Sequence, residues 1–150
     1  AMSTVSELTE TGFQAVLDDL SAAARREEIT RIVFCSGKIF YDMETHPDRD
    51  SLSHVAIGRV EELYPFPEDT LAELVGSYPN LKKVIWAQEE PMNQGALSYV
   101  GPRLRAVVPR PISMRPVARP DRASPAEGKA EDHKREQTRI VEEALGLAEG

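Results

Sequence analysis

One cysteine, Cys35, stands in 150 residues, so no disulfide can form within the chain and no multi-cysteine zinc or iron–sulfur site is available. No apolar run approaches the ~20 residues that a membrane helix requires. The N-terminus lacks a charged segment followed by an apolar one, so no secretory leader is expected, and Ala1-Met2 reads as a cloning remnant. Basic residues are outnumbered, 18 Lys+Arg against 25 Asp+Glu for a formal charge of −7, which argues against a surface built wholly for nucleic acid. The three histidines, His46, His54 and His133, lie far apart without HExxH or HxH spacing, so no metal site is expected. No repeat period is visible. What remains is one soluble, intracellular domain, with no nucleic-acid or membrane partner and an expected cytoplasmic location. The length suits a single α/β unit.

The pattern of elements supports that class. Residues 1–30 read as an entry or linker segment that includes the tag remnant. Phe13, Val16, Leu17 and Leu20 sit at helical spacing there, and Asp18 to Glu28 favours helix. Residues 31–150 read as the α/β domain proper. Arg31–Cys35 is a continuous apolar run, as in a strand buried on both faces. Ser36-Gly37 breaks it before a short helix over 38–45, and a loop follows to Ser53. A second strand spans 55–60. A helix over 68–77 carries Leu71, Leu74 and Val75 on one face, with Pro67 and two acids priming its entry. A third strand spans 82–88. Pro91 opens a further helix to about Val107, interrupted or restarted near Gly101-Pro102. Strand and helix alternate three times with short connections, the signature of βαβ units and a mostly parallel sheet.

The composition then shifts. Between Pro102 and Pro125 there are six prolines, so this stretch is expected to be largely extended, with one short strand at 112–117. It also holds Arg103, Arg105, Arg110, Arg115, Arg119 and Arg122 against Asp121, six arginines to one acid and a local charge of +5. Arginines on extended backbone suit bidentate recognition of phosphates or carboxylates. Both an anion site and a seam between domains or subunits fit that pattern. From Lys129 onward the chain favours helix, with Ile140, Val141, Ala144 and Leu145 on one face and Gly146 as its stop.

Candidate chemistry is sparse. Cys35-Ser36-Gly37-Lys38 sits where phosphates bind in α/β folds, yet it matches neither GxGxxG nor GxxxxGK[ST]. The plainer reading is a buried cysteine, Ser36 as helix cap and Gly37 as a tight turn. Nothing nearby in sequence activates the thiol. Gln88-Glu89-Glu90-Pro91 places two carboxylates at a strand end, but adjacent residues of an extended chain point to opposite faces. Capping the next helix, or an interface salt bridge, accounts for them better than acid–base work. Asn93 and Gln94 would lie in the first turn of that helix, and His133 would be solvated on the last one. No complete catalytic constellation emerges.

Four segments, in order, resemble one family. They are RIVFCSGKIFYD (31–42), VAIGRVEELYPFP (55–67), WAQEEPMNQGA (86–96), and RPDRASPAEG (119–128) followed by His133 and Glu136-Gln137. Together they are similar to the C-terminal domain of the 2-oxoglutarate dehydrogenase E1 component. The chain departs from the family pattern at Leu97, where Trp is usual, at Ala118 in place of Gly, and at Arg122 in place of a small residue. The resemblance implies a Rossmann-like three-layer fold, a mostly parallel sheet flanked by helices as in the transketolase C-terminal domain. It implies a parent enzyme of the tricarboxylic acid cycle that uses thiamine diphosphate and magnesium, bound by preceding domains, with no cofactor in this segment. It further implies the other domains of the same E1 chain, an E1 homodimer and the E2 succinyltransferase as partners, and a nucleotide or acetyl-CoA effector. Gln88, Glu89, Glu90, Asn93, Arg103, Arg105, Arg119, Arg122 and Ser124 are the candidate effector or domain-seam contacts. A stand-alone nucleotide or acyl-CoA binding module using the arginine–proline stretch is the alternative, and a hydrolase built on Cys35 or the glutamate pair is a third.

Overall fold

Strands that are apolar on both faces need a packed layer on each side. In a computed structural model, which describes residues 12–149, the chain supplies those layers. It runs β1 (Val16–Leu17), β2 (Arg31–Cys35), α1 (Ile39–Glu44), β3 (Val55–Val60), α2 (Glu68–Gly76), β4 (Lys83–Pro91), α3 (Leu97–Val107), β5 (Ser113–Arg119) and α4 (Ala130–Leu145). Short 3-10 turns lie at 23–25, 49–51 and 147–149. The sheet order is β1-β3-β2-β4-β5. β2, β3, β4 and β5 are parallel, and only β1 pairs antiparallel, against β3.

Alternation along each strand feeds the two layers. Ile32 and Phe34 of β2 and Val84 and Trp86 of β4 join Leu71 and Val75 of α2 and Val100 and Leu104 of α3 in one core. Val33, Cys35, Ile85 and Ala87 point the other way, to Ile39 and Met43 of α1 and Ile140, Ala144 and Leu145 of α4. This is the three-layer, Rossmann-like α/β arrangement that the sequence led us to expect. Each fully buried Leu, Ile or Phe contributes about 1.5–3 kcal/mol relative to an exposed one.

Several sequence expectations are corrected. The segment from Asp18 to Glu28 is not an α-helix: it holds one 3-10 turn, and Val16–Leu17 is a strand fragment on the sheet edge. Phe13 and Leu20 are 78% and 83% exposed, so the apparent apolar stripe is not a buried face. Tertiary bonds to Asp19 override local helix preference here. The third strand runs on to Pro91, so the helix that Pro91 was expected to open begins only at Leu97. That helix then continues through Gly101-Pro102 without a break. The amide missing at Pro102 would have bonded the carbonyl of Ser98, an exposed residue whose carbonyl water can satisfy. Finally, the arginine–proline stretch is extended only in part, since its first residues belong to α3.

Candidate functional site

The carboxyl ends of β4 and β5 meet the amino end of α4 at a cleft of about 460 Å³. Glu89, Glu90, Arg119, the 125–130 segment and His133 line it. Next to the lining glutamates in the chain, Gln88 is 4% exposed. Its Nε2 donates to the carbonyls of Glu90 (3.3 Å), Pro91 (3.1 Å) and Gln94 (2.9 Å), while its Oε1 accepts from Trp86 Nε1 at 3.1 Å. One amide therefore shapes the turn that leaves β4. Asn93 carries that turn across to the neighbouring loop: its Nδ2 donates to the carbonyl of Arg122 at 3.0 Å and its Oδ1 accepts from the Arg122 amide at 3.2 Å. Gln94 Nε2 donates to the same carbonyl at 2.9 Å.

The two glutamates part company. Glu89 Oε1 accepts from Gln137 Nε2 on α4 at 2.8 Å, with Lys38 Nζ 3.9 Å away. Gln137 Nε2 also donates to Asp42 Oδ2 of α1 at 2.7 Å, and Lys38 donates to the same oxygen at 2.8 Å. That hydrogen bond raises the Lys38 pKa above its ordinary value. Glu90, which lines the same cleft, has its Oε2 close to Gly95 instead. Neither glutamate caps the next helix: α3 starts after Ala96 and has no side-chain cap, which corrects the capping expectation. Ser36 is not a cap either, because α1 follows Lys38 with no side-chain bond, whereas Gly37 does make the tight turn, at φ +79°. The Cys35 thiol is buried, and desolvation pushes its pKa up to about 12, the opposite of activation.

The arginines disperse. Arg103 stacks on Tyr99, its guanidinium 3.8 Å from the ring centre, and bonds the Tyr99 carbonyl. Arg105 closes the carboxyl end of α3 through the carbonyls of Val108 (2.6 Å) and Ile112 (3.2 Å). Arg115 pairs with Glu143 of α4 at 2.6 Å. Arg122 pairs with Glu127 at 2.6 Å. Ser124 is exposed, and its Oγ lies 3.4 Å from the amide and carbonyl of Ala126. Arg119 alone is buried in the cleft, 4% exposed, with Nη1 donating to the carbonyl of Pro125 and Nη2 lying 3.1 Å from His133 Nδ1. His133 is thus an exposed residue engaged with Arg119 rather than simply solvated. The structure brings Glu89, Glu90 and Arg119 together, ties Gln88, Asn93 and Arg122 to the same corner, and leaves Arg103 and Arg105 on α3. Sequence reasoning gave no role to Asp42, Glu127 or Gln137, which were visible only inside the family blocks.

Comparison with known proteins gives this corner a context. The family model described as "2-oxoglutarate dehydrogenase C-terminal" matches residues 2–145. The chain belongs to this family. Proteins named "2-oxoglutarate dehydrogenase E1 component" are similar to it: that of Exiguobacterium sp. is 40% identical over 97% of the chain, and that of Bacillus subtilis 41% over 96%. The E1 component of Geobacillus sp. is 42% identical over 97%. The chain spans only 16% of the first and second of these relatives and 15% of the third, so it corresponds to a part of a larger E1 polypeptide. Against the E1 pattern, Leu97 sits partly buried beside the first core and Ala118 is 8% exposed at the end of β5. The unusual Arg122 has its own partner in Glu127. Among the described residues, no group of three His, Cys, Asp or Glu could hold a metal ion. No helix of the described residues is long and apolar enough to cross a membrane.

Proposed function

We propose that this chain serves as the C-terminal structural and regulatory domain of a 2-oxoglutarate dehydrogenase E1 subunit. In that setting the parent enzyme decarboxylates 2-oxoglutarate with thiamine diphosphate and magnesium and passes the succinyl group to the lipoyl arm of E2, in the tricarboxylic acid cycle. The cofactor belongs to the preceding domains; this domain braces them and takes part in the E1 homodimer, in the cytoplasm. The observation that carries the reading is the match along almost the whole chain to E1 components roughly six times its length. The chemistry of the cleft agrees with it, because Gln88, Glu89, Asn93 and Arg122 are engaged in holding turns and helices together. Gln88, Glu89, Glu90 and Arg119 form the corner most suited to a regulatory contact or a domain seam, with Ser124 on its rim.

The isolated chain, supplied with 2-oxoglutarate, thiamine diphosphate and magnesium, is expected to show no decarboxylation above background. Turnover that follows the chain through purification would overturn the reading.

A further inference from the structure

We propose that the Asp19–Arg49 pair occupies the place of a sheet strand: it closes the first half of the β3 edge, which would otherwise accept the β3 edge of a second copy of this chain. β3 lies against β2 on one side, and on the other β1 reaches it only at Leu17↔Arg59 and Val16↔Val60. Successive residues of a strand turn their backbone groups to alternate edges, so Val55 and Ile57 face the same side as Arg59, past the end of β1. The antiparallel register, carried two residues on from Leu17↔Arg59, sets Asp19 opposite Ile57. There the chain has left the sheet, and a side chain takes over. Asp19 Oδ2 accepts the Ile57 amide at 3.1 Å. Arg49 Nη2 donates to the same oxygen at 2.6 Å, and its Nη1 donates to the Val55 carbonyl at 3.3 Å. An acceptor for one residue's amide and a donor for another's carbonyl are what a neighbouring strand supplies. Both residues are buried, and Arg49 Nε is steadied by Glu44 Oε2 at 3.2 Å.

The opposite edge of the sheet is closed in the same manner. Ser113 donates its amide inward to the Lys82 carbonyl, so Met114, Pro116 and Ala118 of β5 face outward. Pro116 has no amide to offer, and the Ala118 carbonyl accepts from Arg139 Nη2 of α4 at 2.9 Å. An open row of strand amides and carbonyls is a template for another chain, and prolines and charged side chains blunt it. For β3 the fitting partner is a second copy of itself. Two identical edges placed antiparallel about a two-fold axis match donor to acceptor with no further requirement on sequence. The stretch involved, Val55 to Ile57, is short, so the pairing is weak and needs high concentration. The closure belongs to the fold and is independent of the E1 assignment.

Amide hydrogen exchange in a chain carrying Asp19→Asn together with Arg49→Met tests this. The asparagine oxygen can keep the amides of Ser21 and Ala22, which turns its Nδ2 toward the Ile57 amide and leaves that donor without an acceptor. Neither charge of the pair is left stranded. In the unaltered chain Ile57 is expected to be protected at every concentration, as are Val33 and Ile85, which lie in strands paired on both sides. In the paired variant at micromolar concentration, Ile57 is expected to exchange at least about tenfold faster than those two. At millimolar concentration its protection is expected to return, with a particle mass above that of the unaltered chain. If this variant does not fold, Asp19→Ser decides on the same readings, since serine is too short to reach Ile57 and Arg49 retains Glu44. Three results overturn the proposal. They are an Ile57 amide that keeps pace with Val33 and Ile85 in the folded variant (a pair that only packs), one that stays fast at millimolar concentration (water, not a second copy, meeting the edge), and Ile57 protection that already depends on concentration in the unaltered chain.

Discussion

Asp19 is 7% exposed and accepts five hydrogen bonds. Its Oδ1 takes the amides of Ser21 and Ala22 and the Ser21 hydroxyl; its Oδ2 takes Arg49 Nη2 at 2.6 Å and the Ile57 amide at 3.1 Å. Removing one partner of a buried pair strands the other charge, at a cost of about 3–5 kcal/mol. Asp19→Ala is expected to lose about that much stability, read as a lower urea midpoint with an unchanged slope. None of this was visible in the sequence, where Asp19 sits in a helix-favouring run and its partners lie 30 and 38 residues away. The same holds for Gln88, whose pattern of bonds depends on a turn that local sequence does not specify. Cys35 is the opposite case: a lone thiol in an apolar strand reads as buried, and it is. Because burial raises its pKa from 9.0 to about 12, it should react with a thiol reagent at neutral pH far more slowly than in the unfolded chain. The sign also sets an alkaline effect: the contribution is complete below pH 9.0 and is lost as pH rises toward 12.

At the scale of elements, the strands and the amphipathic helices were readable because their periodicity is long and their flanks carry clear breaks. β2 and β3 begin and end where the apolar runs do. α4 shows why the pattern works: Ile140, Val141, Ala144 and Leu145 are buried at helical spacing, and Gly146 closes the helix at φ +89°. A Cβ at Gly146 would meet the Arg31 guanidinium at 2.7 Å, so that position is closed to side chains twice over. Leu145→Ala is expected to cost about 2–5 kcal/mol in chemical unfolding, with the larger value if the layer cannot collapse. The boundaries that failed did so for stated reasons. Pro91 reads as a helix opener, yet backbone pairing carries β4 on to it, with Met92 bonding the Arg119 carbonyl at 2.9 Å. Arg115, Arg119 and Arg122 read as one charged stretch, but their partners belong to three different places: Glu143, the Pro125–His133 corner, and Glu127.

At the scale of the whole molecule, the fold closes its two cores but leaves apolar groups at its surface. Phe13, Leu20 and Tyr64 are 78–83% exposed, and Met92 is 44% exposed. Tyr64 and Phe66 gather around Tyr99, with ring centres 6.4 and 6.2 Å from it. Such groups are expected to be covered when the domain stands in a complete E1, and exposed ones promote association. The isolated chain should therefore show weak, concentration-dependent self-association by light scattering, and a strictly monomeric profile at high concentration would count against this. The family was readable because four sequence blocks stand in register. The proposed role was less so, since a domain that braces others would carry its function in surfaces that only those domains complete. The most direct measurement replaces the corresponding domain of the Bacillus subtilis E1 with this chain. The chimaera is expected to retain thiamine-diphosphate-dependent decarboxylation of 2-oxoglutarate that the same E1 loses when the domain is simply removed. A folded chimaera with no more activity than the truncated enzyme would contradict the account.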